Sequence, residues 1–345
     1  MRAIVKYAEG EGNIELREVP EPKAGDDEVK IKVKAVGICG SDLHIYKGDI
    51  GIPTRVPFTI GHEFSGIITQ VGKNVNRFKI GDRVTAENSR FTCGYCHYCM
   101  TGNYNLCNKR LATGYAYDGA YADYCIVPEN RVYLLPENVD FLTAALTDPS
   151  ACVYHAVHDL TGVNAGDTVL ITGSGAMGLF AVQYVKANGG VAIITGLGQD
   201  AKRLTLAHEL GADHIINLSE KNIENEVKKI TQNKGVDIAL ECSGNQEAAA
   251  NCLSLLRRQG KYTQIGIFGK PISLDLDRVL YGEIQMTGSF SQKYTGWKEA
   301  LKLAALGKIK ARPLVTDILP LEEWEKGFRL CFEGKAIKVV FQPEI

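Results

Sequence analysis

From residue 1 to about 135, apolar positions come in short bursts that alternate with polar ones or fill one strand's length, with Gly and Pro between them. IVKY, IELREV, VKIKVKAVGIC, FSGIITQVG, DRVTAE and YADYCIV are the segments concerned. Helical periodicity is weak over this part, so a β-rich first domain is expected. Near residue 165 the rhythm changes. TVLIT, AMGLFAVQYVKANG, VAIIT, AKRLTLAHELGAD, HIINL, a helix of mixed charge and VDIALEC follow one another as strand, helix, strand. That alternation predicts an α/β domain with a doubly wound parallel sheet and crossover helices. Beyond SGNQEAAANCLSLLRRQGKYTQIGIFG the order loosens into a helix over YTGWKEALKLAALGKI and the tail LVTDILPLEEWEKGFRLCFEGKAIKVVFQ. The tail either closes the second sheet or returns to the first domain. No internal repeat or low-complexity tract interrupts the chain.

Composition narrows the class. A chain of 345 residues exceeds what one core usually supports, so two domains are expected. Hydrophobic residues at 45% and charged residues at 23% are those of an ordinary globular protein, and a net charge of -1 argues against nucleic acid as a partner. The opening MRAIVKYAEGEGNIELREV carries charges every few residues, unlike a secretory signal, and no apolar run approaches the roughly 18 residues of a membrane span. A cytoplasmic protein is expected. In that reducing compartment a cysteine cluster points to metal before disulfides.

CGYCHYCMTGNYNLC places Cys93, Cys96, Cys99 and Cys107 in one loop. Two-residue gaps let neighbouring thiolates converge on one ion and a distant fourth completes a tetrahedron, which suits a closed, structural zinc. An iron–sulfur cluster would share the first three spacings, but the last gap is seven residues and Asn108, not Pro, follows. GICGSDLHIYKGD and TIGHEFSG offer a second set: Cys39, His44, His62 and Glu63. A thiolate, an imidazole and a carboxylate form a mixed ligand set that leaves a coordination position open, as catalytic zinc requires. Such a zinc favours an alkoxide, or polarises a carbonyl in the reverse direction, and the Ser41 hydroxyl and His44 imidazole can carry the proton outward.

TVLITGSGAMGLFAVQYVKANG holds Gly173, Gly175 and Gly178, with Ala176 and Met177 between the last two, directly after an apolar strand and opening a helix. In that setting G-x-G-x-x-G is a dinucleotide fingerprint. The acidic residue that bonds the ribose of NAD, expected at the end of the next strand, is replaced by Gly196. Without that carboxylate a 2′-phosphate is not repelled, and Lys202 or Arg203 can meet it, which tilts the expectation from NAD to NADP. Asp200 could reach the ribose instead and reverse that order.

GICGSDLH, GHEFSG, the four-cysteine loop and the glycine fingerprint, in this order over essentially the whole chain, resemble the zinc-containing medium-chain dehydrogenase/reductase family. Glu63 following His62 is similar to its sorbitol (polyol) and threonine dehydrogenase branch. The resemblance implies a GroES-like β-barrel catalytic domain over residues 1–150 and 291–345, and a Rossmann domain over residues 151–290. It implies two zinc ions per subunit. Cys39, His62 and Glu63 would bind the catalytic zinc, with Asp148 of TDPSACVYHA directly or through water at the fourth position, where the polyol branch usually has Glu. Ser41 and His44, with Glu63 on the metal, would be catalytic; Tyr46 and Phe290 would wall the substrate pocket; and a homo-oligomer, dimer or tetramer, would be expected. The implied reaction is reversible hydride transfer between a secondary alcohol of a polyol or sugar derivative and NAD(P)+. Two alternatives stay open: threonine-type amino-alcohol oxidation, and a non-enzymatic NADPH-binding or redox-sensing protein on the same scaffold.

Overall fold

The computed structural model describes residues 1–344. The chain divides into two compact units, one of residues 1–148, 293–305 and 311–344 and one of Pro149–Gln292 with Leu306–Lys310.

The first unit is built on strands. β1 (Arg2–Lys6) lies between β2 (Ile14–Glu18) and β4 (Phe58–Thr59) in a small antiparallel sheet. β3 (Glu28–Gly37), β5 (Glu63–Val71), β6 (Arg83–Ala86), β7 (Tyr124–Pro128) and β8 (Val132–Leu134) belong to a seven-stranded sheet. In β3, Val29, Ile31, Val33 and Ala35 are fully buried while Lys30, Lys32 and Lys34 alternate with them, the period of two that a half-buried strand requires. Ile31, Val33, Phe64, Ile68, Val84 and Phe341 meet in the core behind this sheet.

The second unit carries the parallel sheet. β9 (Thr168–Thr172), β10 (Val191–Gly196), β11 (His214–Asn217), β12 (Val236–Glu241), β13 (Leu256–Gln264) and β14 (Gln285–Gly288) run in the order β11-β10-β9-β12-β13-β14. The chain steps outward from β9 to β11 and then returns to the other side of β9. The carboxyl end of β9 is therefore the topological switch point, where such sheets bind ligands. Helix Ala176–Ala187 begins there, its face from Gly178 to Val185 buried throughout.

The tail's last strands, β15 (Val315–Leu319) and β16 (Lys338–Phe341), join the sheet of the first unit, β16 pairing antiparallel with β3. All four residues of β16 are buried, which makes Lys338 an unusual member of the strand. No helix among the described residues is long and apolar enough to cross a membrane.

Candidate active site

Strand register assembles the first cluster. Gly37, the last residue of β3, stands opposite Glu63, the first of β5. Cys39 follows as the N-cap of helix Gly40–Lys47, and His62 precedes Glu63, so residues distant in sequence meet at one sheet end. Ligand atoms of Cys39, His62 and Glu63 lie within 4.8 Å of one another. The approach demands glycine before the histidine: Gly61 has φ 92°, and a Cβ there would stand 2.2 Å from the ring of buried Tyr121.

Each member has a second partner. Asp42 Oδ2 accepts from the Cys39 N–H at 2.9 Å and from the Tyr121 hydroxyl at 2.6 Å. Asp42 Oδ1 faces His62 Nδ1 at 3.6 Å, and neither buried atom has a hydrogen-bond partner. A carboxylate beside Nδ1 leaves Nε2 as the nitrogen available to a metal, the usual outer-shell arrangement of a ligating histidine. Lys338 Nζ donates to both oxygens of Glu63, at 2.7 and 2.5 Å, and to the Ile38 carbonyl at 2.9 Å. Burial works against its charge, but Glu63 and Cys39 outweigh burial and hold the Lys338 pKa above the ordinary lysine value.

Buried charge is dense here. Asp42, Glu63 and Asp148 are all buried carboxylates, and Lys338 is already committed to Glu63. Burial pushes Asp148 up to about 6; Glu63 adds to the shift, while His62, Lys338 and Arg110 oppose it. Burial also opposes a charge on His62, yet Tyr115, Asp42 and Cys39 raise its pKa well above the ordinary value. The thiol, imidazole and carboxylate donors of this cluster fit zinc. Asp148 is outside the group of mutually close ligand atoms.

Ser41 and His44 sit one turn apart on helix Gly40–Lys47. Ser41 Oγ is buried and 2.7 Å from the Tyr115 hydroxyl, which is itself 3.5 Å from His62 Nε2. His44 Nδ1 lies 2.9 Å from Asp49 Oδ1, with side-chain exposures of 24% and 50%. Tyr46, on the same helix, gives its ring to Phe328 and Phe332, with centroids at 6.1 and 5.4 Å. Phe290 belongs to the second unit and is 44% exposed.

The four-cysteine loop closes on itself. Ligand sulfurs of Cys93, Cys96, Cys99 and Cys107 lie within 4.8 Å of one another, and the backbone N–H groups of Cys93 and Cys96 point at the sulfurs of Cys107 and Cys93. Desolvation opposes ionisation of Cys93, but the backbone at Tyr95 and Cys96 brings its pKa down to about 6. Four convergent thiols with N–H donors suit a closed tetrahedral zinc. Buried Glu87 ties the loop to the barrel: it accepts from Tyr104 at 2.8 Å, Arg131 at 3.1 Å and Tyr133 at 3.3 Å.

In the second unit the fingerprint glycines have three different tasks. Gly173 has φ 92°, and a Cβ would press within 2.9 Å of Ser243. A Cβ at Gly178 would come 1.9 Å from the Gly173 carbonyl, so this glycine permits helix and strand to touch. A Cβ at Gly175 meets nothing within 4 Å: the space there is open, at the N-cap of the helix that Ala176 and Met177 begin. Helix N-termini offer free N–H groups to pyrophosphate. Gly196 ends β10, where a Cβ would lie 2.9 Å from Ser174 Oγ, a buried hydroxyl with no hydrogen-bond partner. Asp200 accepts from the Leu197 N–H at 3.0 Å and stands 3.4 Å from Arg203, while Lys202 is exposed.

Comparison with known proteins gives the family. Residues 25–137 match the model of the alcohol dehydrogenase GroES-like domain, and residues 176–305 match that of the zinc-binding dehydrogenases. The chain is 43% identical to a sorbitol dehydrogenase of Halalkalibacterium halodurans over 99% of both proteins. The chain belongs to the zinc-dependent medium-chain dehydrogenase/reductase family, in its polyol dehydrogenase branch. This dehydrogenase is also 39% identical to a D-arabitol-phosphate dehydrogenase of Enterococcus avium, over 99% of the chain and 97% of that protein. A zinc-binding dehydrogenase of Sinorhizobium meliloti, solved with NADP, superposes with a TM-score of 0.90 at 31% identity over 99% of each chain. The dehydrogenase is thus an NAD(P)-dependent enzyme with a GroES-like and a Rossmann-type domain, and the alternative of a non-enzymatic binding protein falls.

Several residues of the dehydrogenase's site escape a motif-based reading. Asp42 lies inside GICGSDLH, so spacing alone could have raised it. Lys338 carries a weaker signal, a single charge in the apolar run of AIKVVF. Tyr115, Tyr121 and Glu87 have none, because only the folded sheet brings them to the clusters.

Three substitutions test these assignments. Cys96→Ser should remove one zinc equivalent, measured by metal analysis, and lower the melting temperature before it lowers turnover; loss of the chemical step at unchanged stability would contradict a structural role for the loop. Gly175→Val should weaken dinucleotide binding by about tenfold or more with little change in melting temperature. Gly178→Val, whose Cβ has no room, should lower both in the same titration and melt.

Proposed function

We propose that this dehydrogenase catalyses reversible hydride transfer between a secondary alcohol of a polyol or sugar derivative and NAD(P)+, with two zinc ions per subunit. The observation that carries the reading is the convergence of Cys39, His62 and Glu63 within 4.8 Å, with the buried hydroxyl of Ser41 joined to the cluster through Tyr115. Zinc, when bound, supplies Lewis-acid polarisation of the alcohol oxygen. The protein's residues do the rest. Ser41 takes the proton of the reacting hydroxyl, and His44, one turn on, passes it outward. Asp49, held against His44 Nδ1 and half exposed, orients the imidazole at the water side. Asp42 holds His62, Lys338 holds Glu63, and Asp148 adds a carboxyl at the same site, as a direct or water-mediated ligand. Tyr46 and Phe290 are proposed as substrate contacts.

The polyol reading is favoured over threonine by the state of the cations. A zwitterion needs a basic partner for its carboxylate, yet Lys338 is bound to Glu63, and Arg110, which also acts on Asp148, donates to Ser89 and Asn88 at 2.8 and 2.7 Å. The sorbitol and arabitol-phosphate dehydrogenases among the relatives point the same way. For the dinucleotide we propose Gly173, Gly175, Ala176, Met177 and Gly178 at the pyrophosphate. Gly196, Lys202 and Arg203 lie at the adenosine ribose, with a modest preference for NADP over NAD. Gly196 in the place of a carboxylate and the unpartnered Ser174 hydroxyl support that preference, while Asp200 beside them is engaged by the Leu197 N–H and Arg203. Ten free cysteines suit the cytoplasm. Copies are proposed to associate along β14, the outermost strand of its sheet, near which Leu276, Leu280, Tyr281 and Met286 are exposed.

Nicotinamide absorbance, followed with NADPH and NADH against ketoses, polyols and threonine before and after chelation, tests the reaction. Turnover of a polyol or ketose that chelation abolishes is expected, with a KM for NADP(H) several-fold below that for NAD(H). His62→Ala should lose turnover and the catalytic zinc while keeping its fold by circular dichroism and its dinucleotide affinity; undiminished turnover would overturn the mechanism. Light scattering should give a dimer or tetramer, and Leu280→Glu with Tyr281→Glu should shift it toward monomer.

A further inference from the structure

Tyr115 lies outside every motif, yet its phenol occupies the centre of the site. It is 3% exposed, and its hydroxyl has two polar neighbours, Ser41 Oγ at 2.7 Å and His62 Nε2 at 3.5 Å. The two rings are tilted at 40° with centroids 5.1 Å apart, and the Tyr115 carbonyl accepts from the Arg55 N–H at 3.2 Å, which fixes the backbone beneath.

These two neighbours cannot both persist in the loaded enzyme. Asp42 beside Nδ1 leaves Nε2 as the nitrogen for the cation, and a lone pair given to a cation no longer accepts a hydrogen bond. Tyr115 then keeps Ser41 and loses His62. A phenol has one proton and two lone pairs, so a buried hydroxyl with unused capacity is left beside the group that receives the substrate's proton. Spacing says what would fill it. The oxygens on neighbouring carbons of a diol are about 2.9 Å apart in the staggered gauche form. Ser41 Oγ and the Tyr115 hydroxyl are 2.7 Å apart. Two adjacent hydroxyls can therefore lie against two adjacent protein hydroxyls, each with its own partner.

We propose that Tyr115 determines specificity: its hydroxyl takes the substrate hydroxyl next to the reacting one, so that the enzyme selects vicinal diol units over monohydric alcohols. This rests on the zinc alcohol dehydrogenase reading above and adds to it the chemistry that the substrate must carry beyond the reacting carbon. A site that hydrogen-bonds a substrate hydroxyl discriminates strongly against an analogue lacking it, because the protein's polar group is then left unpaired.

The test compares 2,3-butanediol with 2-butanol, which differ by one hydroxyl, in wild-type holoenzyme, Tyr115→Phe and Ser41→Ala. Wild type should prefer the diol, and Tyr115→Phe should reduce the diol-to-monohydric ratio of kcat/KM by about tenfold or more. Ser41→Ala should lower kcat for both alcohols and leave the ratio in place. Two readouts stand apart from turnover. Calorimetry on the enzyme–dinucleotide complex should show weaker diol binding in Tyr115→Phe, and chelator competition should show zinc held as tightly as in wild type or more so. Equal losses for both alcohols would reduce Tyr115 to a support for Ser41 and overturn the proposal, as would a wild type without diol preference or a variant with weakened zinc. A zinc-loaded wild type inert toward every alcohol would instead overturn the underlying reading and this proposal with it.

Discussion

Gly37 of β3 stands opposite Glu63 of β5 on one side and opposite Val340 of β16 on the other, and the chemistry depends on that double register. It brings Cys39, just past β3, beside His62 and Glu63, and it brings Lys338 from the end of the chain onto both Glu63 oxygens. A slip of one residue would turn every side chain of the strand to the opposite face and would separate the ligands from one another. The apolar face of β3, with Val29, Ile31, Val33 and Ala35 fully buried, opposes such a slip. The stability of the barrel core and the placement of the donors are thus one physical fact.

Charge gives the same cluster its character. Removing one partner from a buried ion pair costs about 3–5 kcal/mol, so Lys338 and Glu63 depend on each other wherever the metal stands. Asp42 and Asp148 add two more buried carboxylates to the cluster, the second under the influence of His62, Lys338 and Arg110. The four-cysteine loop is made differently: backbone N–H groups point at the sulfurs of Cys93 and Cys107, and the Glu87 hub links the loop to the barrel. The Cys39 cluster is asymmetric, with three unlike donors, as the proposed catalytic zinc requires. The other is closed, and it anchors a loop.

The dinucleotide turn shows a different economy. Its geometry is local: a strand, a tight turn and a helix N-terminus follow one another in sequence, and the strand order of the sheet places them at the switch point. The three glycines there serve turning, access and contact respectively, which is why a motif read from the sequence carries so much of the site. The end of β10 is less local, since Gly196 and Ser174 meet only once β9 and β10 are side by side.

The sequence by itself determined the change from strand periodicity to strand–helix alternation, the two cysteine and histidine constellations and the glycine fingerprint. These signals lie in short segments, where spacing along the chain is already spacing in space. It left open whether the tail closes the second sheet or returns to the first, because an apolar strand such as KVVF fits either edge until partners compete for it. Only the tertiary structure decided that β16 pairs with β3, that Lys338 clamps Glu63, and that Tyr115 stands between Ser41 and His62. Those contacts span from about 50 to just over 300 residues of chain. Their existence depends on strand register and burial, which are properties of the packed core and have no counterpart in the spacing of any one segment.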